Sequence, residues 1–189
     1  IYSVFANAGF GLEGPVHELT DGQLEAIIRT NFFGTMWTVR PALEHMRRAG
    51  RGHVLICSSC VSKLGLPYHA AYSATKAMQD HIGRAMRIEL AGEGLFVSTL
   101  HPIGVRTEFS DRVAEKAGGA RQAVRTPESM KQTPESIADR VVACLRRPRG
   151  EIWTHWPTRL GMGLFTMLPG LADWYLARRL RRQRVSTDR

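Results

Sequence analysis

Three short apolar segments alternate with long helical patterns, and this alternation constrains the fold more than any other feature of the chain. Residues 1–6, 53–59 and 95–100 have the length of strands, and the second is apolar almost throughout, as in strands buried on both faces. Between them, apolar residues recur at helical spacing over residues 24–46 and 74–86. Parallel strands need long, right-handed crossovers of this kind. The pattern therefore predicts an α/β fold, a doubly wound parallel sheet with helices on both faces.

Capping residues locate two helix starts. Thr20 and Gln23 have the spacing of a capping box, in which each side chain accepts a hydrogen bond from the main chain of the other residue. Thr133 followed by Pro134 has the pattern of an N-cap and a first-turn proline. Because Thr-Pro-Glu-Ser also occurs at residues 126–129, the start of this third helix stays open between the two copies.

The net charge of +9 is concentrated at one end of the chain. Residues 174–189 contain six arginines and one aspartate and carry more than half of it. This distribution argues against a nucleic-acid partner, which needs a basic face on the folded domain. Apolar residues precede the arginines, so two interpretations stay open. The segment is either a helix packed on the core with a solvated basic end, or a weak anchor to an anionic membrane surface.

The three cysteines are too few for a disulfide framework, which fits a reducing cytoplasm. Cys57 and Cys60 form a C-x-x-C pair, but a redox pair would open a helix and a zinc site would need a second pair. They are interpreted as small core residues, and no metal site is predicted. No apolar run reaches the roughly 18–20 residues of a membrane-spanning helix. The expected location is the cytoplasm, or the periphery of a membrane.

Residues 7–9, 58–62 and 101–107 follow the predicted carboxyl ends of the strands, where an α/β sheet binds its ligands. Tyr72 and Lys76 are four positions apart near the start of the second helix, so they share one helix face. An ammonium beside a phenol favours the phenolate, which predicts a lowered pKa for Tyr72 and an acid/base role. Ser59 ends the preceding strand, and Asn31 lies inside the first helix, where asparagine is a poor helix former.

With their spacing, Ser59, Tyr72 and Lys76 resemble the catalytic serine and Y-x-x-x-K motif of the short-chain dehydrogenase/reductase family. Further segments follow in the family's order: residues 7–9 resemble the end of its N-N-A-G segment, residues 31–34 its N-x-x-G segment, and residues 102–107 its P-G-x-x-x-T loop. The resemblance implies a Rossmann-like doubly wound sheet that lacks the family's first two to three βα units.

The resemblance also implies roles for individual residues. Tyr72 exchanges a proton with the substrate oxygen, Ser59 hydrogen-bonds that oxygen, and Lys76 holds the nicotinamide ribose and lowers the pKa of Tyr72. Asn31 completes the catalytic set by holding a water in a proton relay from Lys76. The implied dinucleotide contacts are Asn7, Ala8, Gly9, Tyr72, Lys76, Pro102, Val105 and Thr107.

Two departures from the family's pattern limit the prediction. Ile103 stands where the family has glycine and Gly104 follows one position later, although the spacing from Pro102 to Thr107 is kept. The glycine-rich pyrophosphate turn and the residue that selects the cofactor have no counterpart in this chain. The expected cofactor is therefore NAD or NADP without a choice between them, and this chain alone is expected to be inactive.

These observations predict an NAD(P)-dependent oxidoreductase that interconverts the carbonyl and alcohol of a small, hydrophobic substrate, and the resemblance implies a homo-oligomer. Residues 1–155 are expected to form the Rossmann domain, with a mobile substrate flap at 110–133 and a last strand at 151–155. Residues 156–189 are expected to form apolar helices and a basic tail, with a flexible stretch at 161–169. Two alternatives are a non-catalytic scaffold of the same fold and a protein that binds a membrane or an acidic partner through its tail.

Overall fold

The computed structural model describes residues 1–109, 113 and 126–187, and within them four strands form one sheet. The strands are β1 (Ser3–Ala6), β2 (Gly52–Cys57), β3 (Leu95–His101) and β4 (Glu151–Trp153). They lie side by side in chain order, and each neighbouring pair is parallel. The predicted parallel α/β sheet is confirmed.

Helices connect these strands and follow the last of them. They are α1 (Asp21–Ile28), a π-helical turn (Arg29–Phe33), α2 (Gly34–Ala49), α3 (Ala70–Glu89), α4 (Pro134–Arg146), α5 (Trp156–Met167) and α6 (Pro169–Thr187). Short 3₁₀ turns lie at Val16–Glu18, Cys60–Lys63 and Glu128–Met130. Where the sequence pattern predicts one continuous helix before β2, the π-turn divides it in two.

Hydrogen bonds at the helix ends decide between the sequence interpretations. Thr20 and Gln23 form the predicted capping box of α1. Thr133 caps α4, whereas the other Thr-Pro-Glu-Ser copy leads only into a 3₁₀ turn.

The predicted flexible stretch at 161–169 is wrong, because it lies within α5 and the start of α6. His155 caps α5 by accepting a hydrogen bond from the Thr158 main chain, so this helix has a defined start.

Apolar side chains on both faces of the sheet form the core. On one face α2 and α3 pack against Val54, Ile56 and Val97. On the other face α4 packs against Leu55 and other residues of the sheet. Successive strand residues point to opposite faces, so the apolar run of β2 is divided between the two clusters. The sheet is therefore doubly wound, as predicted.

Because the strands are parallel, their carboxyl ends meet at one edge of the sheet. Residues 7–9, 58–63 and 102–107 leave the sheet at this edge, and α3 packs against the turn at Cys60–Lys63. The polar residues predicted from the sequence thus converge there. Most of the predicted substrate flap, at residues 110–133, lies outside the described residues.

Candidate active site

Tyr72 and Lys76 occupy the first two turns of α3, and the Lys76 Nζ atom lies 5.6 Å from the centre of the Tyr72 ring. Lys76 is only 4% exposed. Its ammonium donates hydrogen bonds to the Cys57 main-chain oxygen at 2.7 Å and to the Gln79 Oε1 atom at 2.9 Å. Among the described residues these are its two acceptors, so one of its three N–H groups remains for a ligand.

Burial controls the protonation of both groups. It lowers the pKa of Lys76 and raises the pKa of Tyr72. The prediction that Lys76 lowers the pKa of Tyr72 is therefore wrong in its net direction. The cost of burying a phenolate is the largest influence on this phenol, and the opposing influence on its pKa is a hydrogen bond with the Ser59 hydroxyl rather than the ammonium.

Ser59 lies two residues after the end of β2, and its hydroxyl forms a hydrogen bond with the Tyr72 phenol that acts to lower the pKa of the phenol. Its Oγ atom accepts a hydrogen bond from the Val61 main chain at 3.4 Å and so caps the 3₁₀ turn that follows. Its main-chain oxygen lies 3.2 Å from Nδ1 of the buried His101. The serine is thus held from both sides, with its hydroxyl at the phenol.

Asn31 lies at the centre of the π-turn and is fully buried. Its side-chain amide exchanges two 2.9 Å hydrogen bonds with the main chain of Phe10 and donates a third, also at 2.9 Å, to the Thr75 hydroxyl. These contacts join the segment after β1 to the start of α3. π-turns of this kind are frequent at functional sites because they redirect one residue of a helix.

The main-chain oxygen of Asn31 also accepts hydrogen bonds, and one of the donors, Gln79, was not predicted from the sequence. Gln79 donates to this oxygen at 2.7 Å, and Thr35 donates to it at the same distance. Gln79 is 1% exposed and also contacts Lys76. The signal available in the sequence was a glutamine three positions after Lys76, on the tyrosine–lysine face of the predicted helix.

Residues 7–9 pass directly beside these groups. A Cβ atom added to Gly9 would lie 3.1 Å from Asn31 Oδ1 and 3.6 Å from Lys76 Nζ, so glycine permits the close approach. Asn7 and Ala8 are exposed on the same segment. The structure therefore brings Gly9, Asn31 and Lys76 together.

The loop after β3 is held by main-chain hydrogen bonds. Residue Gln132 pairs in parallel with Val105, accepting from the Arg106 N–H and donating to the Gly104 oxygen. The Gly104 position is close to Thr126, where an added Cβ would approach the side chain to 2.9 Å. This close approach gives a physical reason for glycine at 104 in place of 103. Pro102 is half-buried and Thr107 is exposed on the same loop.

A family model described as short chain dehydrogenase matches residues 1–118, which include β1, β2, β3 and the residues Asn31, Ser59, Tyr72 and Lys76. This chain belongs to the short-chain dehydrogenase family. The predicted family is thus confirmed.

Curated relatives of this short-chain dehydrogenase include three oxidoreductases. It is 34% identical over 113 residues to the oxidoreductase YbbO of Escherichia coli K12, covering 60% of this chain and 42% of that protein. It is 30% identical to human retinol dehydrogenase 8, covering 66% of this chain and 40% of that protein. It is 25% identical to Bos taurus dehydrogenase/reductase SDR family member 7B, over 95% and 56% of the two chains. The chain thus spans about half the length of these relatives.

Solved structures show the same fold. A short-chain dehydrogenase from Sphingobium yanoikuyae in complex with NADPH has a TM-score of 0.73 at 20% identity, covering 92% of this chain and 65% of that one. An alcohol dehydrogenase from Thermococcus sibiricus complexed with 5-hydroxy-NADP has a TM-score of 0.66 at 27% identity, covering 81% and 62%.

Aromatic side chains and one valine lie beside the Tyr72 phenol and the segment after β1. The Phe109 ring centre lies 5.7 Å from that of Tyr72, and the His69 ring lies edge-on at 6.1 Å. A Cβ atom added to Gly11 would come within 2.6 Å of Val113 and 3.0 Å of Phe109. These side chains close over the segment after β1 and leave an apolar wall beside the phenol.

The three cysteines are free, and burial raises the pKa of Cys57 and raises that of Cys60 to about 11. Such thiols are protonated and unreactive near neutral pH. Their geometry agrees with the interpretation as small core residues.

A buried charge cluster lies behind Ser59. Asp80, His101 and Glu151 bring three donor atoms within 4.8 Å of one another, as a metal site would require. The Lys63 ammonium already lies 2.5 Å from Asp80 and 3.7 Å from Glu151. Since a cation side chain compensates both carboxylates, the cluster is an ion-pair network that anchors the turn after Ser59 to α3 and β4.

Proposed function

We propose that this chain carries the catalytic residues of an oxidoreductase that interconverts a carbonyl and an alcohol, with NAD or NADP as hydride carrier. The observation that carries the proposal is the buried contact of Tyr72 with Lys76 and Ser59 at the carboxyl edge of the sheet. Residues 1–155 would form the catalytic domain, and residues 156–189 an appended helical segment.

Tyr72 is the acid/base in this proposal. Burial raises the pKa of its phenol, so the phenol carries its proton at neutral pH and can donate it to a carbonyl oxygen. Ser59 would donate a hydrogen bond to the same oxygen as negative charge develops there. The Lys76 ammonium over the ring face would stabilise the phenolate that remains.

The residues present fit a nicotinamide dinucleotide, which supplies the hydride when bound. Lys76 keeps one N–H group for a ribose hydroxyl, and Gly9 leaves the space beside it that a Cβ would fill. Asn7 and Ala8 would lie along the cofactor on the same side. Pro102, Val105 and Thr107 would contact its nicotinamide end from the loop after β3. Asn31 would hold the segment after β1 against α3 through its hydrogen bonds with Phe10 and Thr75.

The test uses protein expressed from its complete reading frame, so that any residues encoded before Ile1 are present. NADH and NADPH oxidation is measured with a panel of aliphatic and aromatic aldehydes and ketones. Removal of the acid in Tyr72→Phe is expected to lower turnover by about 10²–10⁴-fold. Tyr2→Phe, at an exposed tyrosine before β1, is the matched control. Turnover that survives Tyr72→Phe would refute the proposal, and nucleotide binding without any turnover would favour the scaffold alternative.

A second candidate function, peripheral binding to an anionic membrane, is supported by the outer faces of α5 and α6. Trp156, Leu160, Leu164 and Met167 form an exposed stripe along α5. Helix α6 exposes Trp174, with the Arg178 guanidinium 5.6 Å from its ring, and further arginines follow. Apolar and basic side chains on neighbouring surfaces suit an anionic interface. None of the helices in the described part of the chain is long and apolar enough to cross a bilayer.

Vesicle co-sedimentation tests this candidate. Vesicles of phosphatidylcholine with and without phosphatidylserine are compared, and binding is expected only with the anionic lipid. Leu160→Glu with Leu164→Glu should abolish binding, and Arg178→Glu with Arg182→Glu should weaken it strongly. Val142→Glu, at an exposed apolar position of α4, is the matched control. Equal binding to both vesicle types, or binding unaffected by all of these changes, would end the candidate.

Self-association of the chain through exposed aromatic and apolar side chains is also proposed. Phe33 and Trp37 stack with ring centres 5.9 Å apart, and both side chains are about half exposed. Ile88 of α3 is 78% exposed. Exposed aromatic residues of this kind are typical of oligomer interfaces. A homo-oligomer through these helices should dissociate in Trp37→Glu, measured by sedimentation equilibrium.

A further inference from the structure

Gln79 lies one turn after Lys76 on the buried face of α3, and it links the lysine to the π-turn. Its Oε1 atom accepts from the Lys76 ammonium at 2.9 Å. Its Nε2 atom donates to the Asn31 main-chain oxygen at 2.7 Å and to the Thr35 hydroxyl at 2.8 Å. An ammonium only donates and a carbonyl only accepts, so the partners themselves determine which way the amide points.

The same contacts leave Asn31 little capacity to bind anything else. Its main-chain oxygen accepts from both Gln79 and Thr35, which uses both lone pairs. Both hydrogens of its side-chain amide are donated, to Phe10 and Thr75. The group that connects Lys76 with Asn31 in this chain is therefore a side-chain amide.

We propose that Gln79 is a positioning residue that holds the Lys76 ammonium against the Tyr72 ring and fixes it to the π-turn. An amide does not ionise near neutral pH. The Gln79 contact therefore holds the Lys76 ammonium in place without itself exchanging a proton. The effect on turnover rests on the proposed function, whereas the effect on Lys76 itself does not.

Two substitutions separate a hydrogen-bonding role from a packing role. Gln79→Met keeps the volume and removes the hydrogen bonds. It is expected to lower kcat/KM about 10–100-fold, as for loss of one hydrogen bond to a charged group. Gln79→Ala opens a polar space in which water can bond both Lys76 and Asn31, so it should lose less activity than Gln79→Met. A residue that only filled space would give the opposite order.

A spectroscopic readout makes the test independent of turnover. This chain contains only four lysines, so ¹³C-labelled lysine gives few side-chain signals, and Lys76→Arg identifies the one from Lys76. The other titratable groups that face the ammonium are Tyr72 and Cys57. Without the Gln79 acceptor the ammonium is less stable, so the Lys76 signal should titrate at lower pH in Gln79→Met than in the wild type.

The outcomes of these experiments can be told apart from those of the turnover test of the proposed function. A shifted Lys76 titration in Gln79→Met supports the positioning role even if no substrate is turned over. An unshifted titration overturns it, as does a variant series in which Gln79→Ala is more damaging to kcat/KM than Gln79→Met. Circular dichroism and thermal unfolding of both variants verify that each is folded.

Discussion

The Lys76 ammonium lies over the face of the Tyr72 ring, 5.6 Å from its centre, with both side chains on one face of α3. Burial acts on the two groups in opposite directions, lowering the pKa of the lysine and raising that of the tyrosine. Both shifts favour the neutral form of the side chain. The order in which the two groups lose their protons follows from this relationship.

Lys76 is expected to lose its proton before Tyr72 as the pH rises. The pKa of Lys76 lies below its ordinary 10.5, whereas burial raises the pKa of Tyr72 far above its ordinary 10.0 and beyond the ordinary value of a lysine. Carbonyl reduction should therefore decline along an alkaline limb that begins below pH 10.5. In Lys76→Met this limb should disappear from the pH profile of kcat/KM, at a lower overall rate. An unchanged limb in Lys76→Met would assign it to another group.

Gly83 is expected to tolerate no side chain. A Cβ atom added there would meet the Thr99 Cγ2 atom at 2.3 Å, where α3 crosses β3. Gly83→Ala should therefore reduce the free energy of unfolding by about 1–3 kcal/mol, as overpacking does. Gly161→Ala, in α5, is the matched control because an added Cβ there meets nothing within 4 Å. It should be neutral or stabilise by about 0.5–1 kcal/mol in urea unfolding.

The buried pair of Lys63 and Asp80 should be sensitive to loss of one partner. Asp80 is fully buried, and its Oδ2 atom lies 2.5 Å from the ammonium. Asp80→Leu leaves the lysine without its nearest counter-charge and should cost about 3–5 kcal/mol. Adding Lys63→Met should recover much of this loss, because the unpaired ammonium is then removed and Glu151 keeps Arg84 at 3.2 Å and Arg159 at 3.8 Å. Denaturant unfolding of the single and double variants measures the difference, and strictly additive effects would contradict the coupling.

His53 should make the protein less stable as the pH falls below neutrality. The ring is fully buried beside Ser98, and burial lowers its pKa below the ordinary 6.5. The unfolded chain then binds more protons, so the stabilising effect is complete above pH 6.5 and is lost as the pH falls through the folded-state pKa. Unfolding free energies measured from pH 7.5 downwards should fall less steeply in His53→Leu. Parallel curves for the two proteins would contradict this origin.

Local patterns predicted much of the fold and part of the site. The continuous apolar run of β2 and the spacing of about 3.6 residues in α2 and α3 are local patterns, which neighbouring positions determine. The capping box at Thr20 is likewise local. The four-residue spacing of Tyr72 and Lys76 placed both side chains on one helix face without knowledge of the sheet.

The sequence by itself thus determined the parallel α/β order and the family, together with the residues that gather at one sheet edge. Tertiary structure alone decided the π-turn at Asn31, the link from Gln79 to a main-chain oxygen 48 positions away, and the net direction of the Tyr72 pKa shift. Each of these depends on contacts between segments far apart in the chain and on the burial those contacts create. The order of the elements and the family motifs can be read from spacing along the sequence. The π-turn, the Gln79 link and the direction of the Tyr72 pKa shift depend on packing in three dimensions.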